Sequence, residues 1–383
     1  MTTLRGITWA HTRGYVPLVA ASAAFAERGG GIEAVWDRRS LWAFGEAPIE
    51  ELAEAYDLIV IDHPFVGFAA ERELLLPLDR YLPEDFLREQ ETQSVGPSYR
   101  SYTYDGHQWA LAIDASGQTS ATRPDVLDGM GLEIPQSWEE VVSLARRTGA
   151  VAMPLAPIDA LSSFFTLCAS LGESPTHADR AHVVSREVGE RALALLAGLA
   201  GVMDRQCLDM NPIRALALMS HRDDIAYMPL TYAYSNFSRE AYAPRLLAFG
   251  PPPAGAGGTL GGAGLAVSAR SRRREHALEL ARWIADAPCQ RTIYVLSGGQ
   301  PGNRAAWEEE VANRVTNGFF HAVLPVLDRA YLRPTYDGFA EFQGKAGALV
   351  HDFLRRKGDS PGNVLDQLDK LYEQSRNRPE EAR

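Results

Sequence analysis

The sequence predicts an α/β protein whose first third winds a parallel sheet, and three observations carry this reading. The stretch YDLIVIDHP, residues 56–64, holds four aliphatic residues in a row without alternation, the mark of a strand buried on both faces. Ala-rich helical stretches separate it from two earlier strands, giving β-α-β-α-β, for which parallel pairing with right-handed crossovers is expected. The length of 383 residues exceeds one compact core, so two domains are expected.

The elements follow in order. A first strand spans Leu4 to Trp9 and a helix about Val16 to Arg28, stopped by the glycines at 29–31, which tolerate a left-handed cap. The second strand is Ile32 to Trp36. A helix near Ile49 to Ala55 begins with acidic residues that suit a helix N-terminus. The third strand is the opening stretch. GHQWALAID, 106–114, reads as a further strand ending at Asp114. In IPQSWEEVVSLARRTG, Ser137 with Glu140 three residues on forms a capping box. A helical middle, 158–222, leads to a strand at 224–230. PPPAGAGGTLGGAG, 251–264, reads as the most linker-like segment, followed by the strand LAVSA, a long amphipathic helix and a glycine turn. The end is helical with a polar tail at 376–383, expected to fray.

Composition excludes several classes. A net charge of -11 disfavours nucleic acid, which rewards a dense basic surface. Cys168, Cys207 and Cys289 lie far apart with no C-x-x-C, so neither a disulfide framework nor a zinc site is indicated, and buried thiols are expected. No apolar run approaches the roughly 20 residues of a membrane span. The N-terminus lacks a basic head and apolar core, so the chain as given shows no secretion signal. It is read as cytoplasmic or as the mature form of an exported protein.

In open parallel sheets ligands bind outside the carboxyl ends of the strands. Here those ends carry Trp9, His11 and Arg13; Trp36, Asp37, Arg38 and Arg39; and Asp62 and His63. Arg13 also precedes a helix, whose free amides favour an anionic or hydroxyl-rich group. Asp62 reads equally as a turn former and His63 as a buried, hydrogen-bonded ring. Trp36 reads as core. The coincidence of three strand tips at one edge points to a ligand cleft.

The order of elements resembles the extracellular solute-binding proteins of ABC importers, the group that includes maltose-binding protein, over nearly the whole chain. The resemblance rests on GYVPLVAASAAFAERGGGIEAVW, YDLIVIDHPFVGFAAERELLLPLDRYLP, GHQWALAID, MGLEIPQSWEEVVSLA and GGAGLAVSARSRRREHALELARWIADAPCQRTIYVLSGGQPGN, in that order. It implies a two-lobed periplasmic-binding-protein-like fold. Each lobe would be a mixed, mainly parallel sheet flanked by helices, with a ligand held between the lobes. Lobe one would be 1–112 plus 264–324 and lobe two 113–263 plus 325–383, hinged at 112–116 and 261–266.

By this reading the ligand is a small polar solute, sugar-like or a hydroxylated carboxylate. Trp9, Tyr232 and Tyr234 would stack on it, and His11, Arg13, Arg39, Asp62, His63 and Asp114 would bind its polar groups, with Asn303 as a further contact. Arg13, Arg38, Arg39, His11 and His63 together suggest room for one negative charge. The expected partners are the solute and ABC permease subunits, with the chain a monomer and no cofactor required. Three rivals stand beside it. One is a cytoplasmic sensor or carrier on the same fold. Another is a metal site from His11, Asp62 and His63. The third is an enzyme using Asp62, His63 and Asp114 as acid and base, against which stands the lack of any nucleophile-elbow, P-loop, dinucleotide or zincin signature.

Overall fold

The computed structural model describes residues 2–29, 31–46, 49–176, 181–255, 257–356 and 359–377. The expected frayed tail beyond 377 lies outside the described residues. Nine strands are described: β1 Thr2–Trp9, β2 Ile32–Arg39, β3 Leu58–Ile61, β4 Thr103–Tyr104, β5 His107–Gln108, β6 Leu111–Thr122, β7 Tyr227–Tyr232, β8 Ala248–Gly250 and β9 Leu260–Val267. Seven of them form one sheet in the order β2-β1-β3-β9-β6-β7, with β8 also on β6, while β4 and β5 pair apart.

The β-α-β-α-β start forms as read. β1 pairs in parallel with β2 from Thr2↔Ile32 to Trp9↔Arg39, and with β3 at Gly6↔Leu58 and Ile7↔Ile59. All four residues of β3 are buried. Leu58 and Val60 enter one apolar core with Leu4 and Trp9, whereas Ile59 and Ile61 enter another with Ile7. Strand side chains alternate faces, so an unbroken aliphatic run is what a strand covered on both sides requires.

β9 runs antiparallel to β3, with Ile61 opposite Gly264. Its first residues therefore lie at the edge where β1, β2 and β3 end. The end of the segment expected to be a linker, from Leu260 onward, is thus a sheet strand. Its glycines are there for close approach: a Cβ on Gly264 would sit 2.5 Å from the Tyr102 ring, and Gly262, at φ +117°, faces the Asp114 carbonyl.

β6 is longer than the sequence reading allowed, twelve residues all buried. Its first half pairs with β9, from Leu111↔Leu265 to Gly117↔Leu260, and its second half with β7 and β8. The pair β6 and β9 is the crossing between two halves of the molecule. In the second half the described strand pairs are antiparallel, with parallel bridges at Val151↔Tyr227 and Thr259↔Tyr331. The sheets are therefore mixed, with parallel pairing concentrated at the N-terminus.

The second half is a larger, mainly helical core around Phe164, Leu196, Tyr227, Phe342 and Leu368. Trp307, Phe319 and Phe320 also join it, Phe319 meeting Phe249 at 5.2 Å between ring centroids. The aromatic stretch before 324 thus packs with the second half rather than the first, because this is where its rings find partners. Ser137 caps its helix by accepting the Glu140 amide at 3.2 Å, and Glu140 returns a bond to the amide of Gln136. The three cysteines are free and buried. Among the described residues no helix is long and apolar enough to cross a membrane.

Candidate functional site

A cavity of about 260 Å³ opens between the two halves. The first half supplies Trp9, Arg13, the Leu41–Gly45 turn and Asp62; the second supplies Ala156 to Asp159, Pro212, Tyr232, Tyr234 and Arg333; Ser116, Gly261 and Gly262 of the crossing strands make the floor. The edge where β1 and β3 end is therefore one wall, as open parallel sheets lead one to expect.

Arg13 begins the helix Thr12–Glu27, whose N-cap is His11. The His11 Nδ1 accepts the Arg13 amide at 3.0 Å, so the neutral ring carries its proton on Nε2, which faces the Tyr242 hydroxyl at 3.0 Å. Burial, then the charge of Arg13, pushes this imidazole down to about 3. The Arg13 guanidinium has its charge matched within the protein. It donates to Asp114 through Nε at 2.8 Å and Nη2 at 2.5 Å, donates to the Ala233 carbonyl, and lies 4.5 Å from the centre of the Tyr234 ring. Asp114 reaches it because the β6–β9 register shifts between Ala112 and Asp114, a bulge that re-aims one side chain.

Asp62 answers to a second arginine. Its Oδ1 accepts the His63 amide at 2.9 Å, capping the turn after β3. Arg333 Nη2 donates to both Asp62 oxygens, at 3.0 and 3.1 Å, and Nη1 to Gln343 at 2.6 Å. Burial alone would raise the Asp62 carboxyl; the charge of Arg333 and the His63 contacts overcome it and hold it at about 2. His63 is fully buried. Its Nδ1 lies 3.2 Å from Asp62 Oδ1, yet neither ring nitrogen makes a hydrogen bond. Burial and the charge of Arg333 press the ring down to about 4, so it is neutral at physiological pH.

The remaining walls carry aromatic rings, aliphatic side chains and one free acid. Trp9 and Phe44 pack at 5.2 Å between centroids. Trp42, on the short helix Leu41–Glu46, is 73% exposed at the rim. The Tyr232 hydroxyl bonds Ser162, whereas that of Tyr234 has no hydrogen-bond partner among the described residues. Asp159, in the first turn of the helix Pro157–Ser170, lines the cavity with only 7% of its surface exposed, and its carboxyl has no partner among the described residues. Burial pushes that carboxyl up to about 8.

Of the sequence candidates, the structure brings together Trp9, Arg13, Asp62, Tyr232 and Tyr234 on the cavity wall. His11, Arg39, His63, Asp114 and Asn303 are not on it. His11 is a helix cap and lies edge-on to Tyr234 at 4.8 Å. Arg39 turns to the carbonyls of Val60 and Ala43, bracing the short helix behind the wall. His63 and Asp114 sit one layer below, and Asn303 caps the helix Arg304–Glu308 through the Ala305 amide. Arg333, Asp159, Trp42, Phe44 and Ile158 were missed.

The cationic groups behind the expected room for a negative charge are mostly matched or neutral. The Arg13 and Arg333 guanidiniums are each matched by a carboxylate, Arg38 lies over the Tyr15 ring, and both histidines are neutral. Among the described residues no group of three or more His, Cys, Asp or Glu is placed to hold a metal ion.

A family described as bacterial extracellular solute-binding protein matches residues 9–316. The chain belongs to that family. As a member of it, the chain is a solute-binding protein, and its inter-half cavity is the place to look for the solute. A comparison with the curated proteins finds no match. Among solved structures, maltose-bound MalE3 of T. maritima aligns with a TM-score of 0.82 and 17% identity over 97% of this chain and 99% of that one. The GacH receptor of Streptomyces glaucescens aligns at 0.80 and 17%, over 99% and 100%. A solute-binding protein of Agrobacterium radiobacter K84 in complex with ribitol aligns at 0.80 and 16%, over 97% and 98%. At such identities these likenesses establish the two-lobed fold of this solute-binding protein.

Proposed function

We propose that the chain captures a hydroxylated solute without anionic groups, a sugar or polyol, in this cavity and presents it to the membrane subunits of an ABC importer without altering it. The observation that carries the reading is that both buried guanidiniums at the cavity are neutralised within the protein, while Trp9, Trp42, Phe44, Tyr232 and Tyr234 give the wall its aromatic faces. Each ion pair is held in a fixed direction, and its spare lone pairs and N–H groups suit hydroxyls better than a carboxylate, which would have to break a pair to find a cation. Trp42, Tyr232 and Tyr234 offer faces to the C–H side of a ring. The maltose and ribitol named with two structural neighbours are of this class.

The same pairs support a binding role rather than a catalytic one. Asp62 and Asp114 are locked by arginines and Asp209 pairs with Arg355, so Asp159 stands without the second free carboxyl that glycoside hydrolysis uses. The lobes would divide at β6 and β9, with Ala112–Ser116 and Gly261–Ala266 as the hinge. Calorimetric titration against neutral sugars, polyols, hydroxy acids and sugar phosphates tests the reading. Saturable binding among the first two groups is expected, with the ligand recovered unchanged. Tighter binding of the acids or phosphates, or turnover, overturns it.

A further inference from the structure

Three carboxylates line the cavity: Asp62, Asp159 and Asp209. Asp62 is held by Arg333, and Asp209 pairs with Arg355 at the surface. Asp159 is left over, 93% buried by its 7% exposure, lining the cavity and bonded to nothing among the described residues. Asp159 is the third residue of its helix, whose N-cap, Ala156, has no side chain to bond the first turn. A carboxylate taken from water without a partner is costly, so it persists either neutral or opposite a cation.

Resting on the proposed function, we infer that the solute carries a basic nitrogen, as an amino sugar or amino polyol does, and that Asp159 is the group that receives its ammonium. Opposite a hydroxyl alone Asp159 stays neutral, because both guanidiniums there are already matched. An ammonium lets it ionise and gains a charge-assisted bond. The aromatic faces of Trp42, Tyr232 and Tyr234 favour a cation beside them, and a net charge of -11 on the chain draws cations rather than anions. When the ligand arrives as an ammonium and finds the neutral acid, binding releases one proton from Asp159 to solvent.

The test uses matched pairs titrated into the purified chain at neutral pH: glucosamine with glucose, galactosamine with galactose, mannosamine with mannose, an aminodeoxy polyol with its parent, and the N-acetyl forms as uncharged controls. We expect the amine of at least one pair to bind about tenfold or more tighter than both its parent and its N-acetyl form. Its heat of binding should vary with the ionisation enthalpy of the buffer, as proton release requires. In Asp159→Asn, and in Asp159→Ser should the first variant fold poorly, that ratio should fall to near one. Amine and parent binding alike, or a ratio unchanged in both variants, overturns the inference while leaving the sugar or polyol reading intact. Failure of every member of every pair to bind overturns both.

Discussion

Removing Arg333 should expose how much of the molecule depends on one buried pair. Arg333 is 3% exposed and holds both oxygens of Asp62, a residue 271 positions away in sequence. Its charge, with the His63 contacts, brings the Asp62 carboxyl from its ordinary 3.8 to about 2 against the pull of burial. Such a depressed carboxylate contributes about 2.5 kcal/mol at neutral pH, present above about pH 4 and lost as pH falls towards 2. In Arg333→Met, Asp62 keeps the His63 amide but loses its counter-charge while still buried. The cost of stranding one member of a buried pair is about 3–5 kcal/mol.

A double-mutant cycle in urea, followed by tryptophan fluorescence and circular dichroism, measures it. Arg333→Met should cost about 3–5 kcal/mol. Adding Asp62→Asn, which removes the stranded charge, should recover about 2 kcal/mol or more. His63 supplies an independent reading. Since the charge of Arg333 helps press its ring down to about 4, the imidazole should titrate at higher pH in Arg333→Met, as seen by NMR. Two variants whose costs add within about 0.5 kcal/mol would mean the pair is not coupled, and the account of why β3 ends in Asp62 and His63 would be refuted.

Trp42→Ala should weaken solute binding by about 1–2 kcal/mol in calorimetry with the urea midpoint unchanged, because the ring is 73% exposed and has little folded contact to lose. Asp159→Asn should change the pH dependence of stability. The folded carboxyl sits at about 8 and the unfolded one near 4, so the native state binds the extra proton between them and the parent loses up to about 1.4 kcal/mol per unit as pH rises through that window. The variant should lack this slope and gain on the parent from pH 5 to pH 8 in urea titrations. Gly262→Ala should cost at least about 2 kcal/mol, because the residue sits at φ +117° and a Cβ would lie 2.4 Å from the Asp114 carbonyl oxygen; a neutral result would show that the β6–β9 crossing yields easily.

What the sequence revealed and what it hid divide by the range of the forces involved. The helix Ile49–Ala55 and the aliphatic centre of strand β3 were legible, because aliphatic continuity and first-turn acids act locally. The cleft edge was legible because parallel strands must all end on one side. The identity of the wall was not. Trp9 and Arg39 are partners in register and both reach Phe44, yet Trp9 lines the cavity while the Arg39 guanidinium turns back to the Val60 and Ala43 carbonyls. Glycines at 261, 262 and 264 look like a flexible linker in one dimension and are contacts with no room for a Cβ in three. Arg333 and Asp159 carry no local signal: one is an arginine among turns, and the other is an acid where any helix start has one.

Those two residues decide the chemistry of the site, and they do so by subtraction. From sequence, Arg13, Arg38, Arg39, His11 and His63 suggested a basic cleft. Folding brings Asp114 to Arg13, buries both histidines until they are neutral, and sends Arg333 to Asp62. After every internal partner is counted, the cavity holds no free cation among the described residues and one free acid. A ligand cannot be selected by charges the protein has already cancelled, so the preference of the cleft is set by the group left without a partner. That is why the amine-to-parent ratio of a matched pair, and its loss in Asp159→Asn, says more about this protein than the affinity of any single sugar.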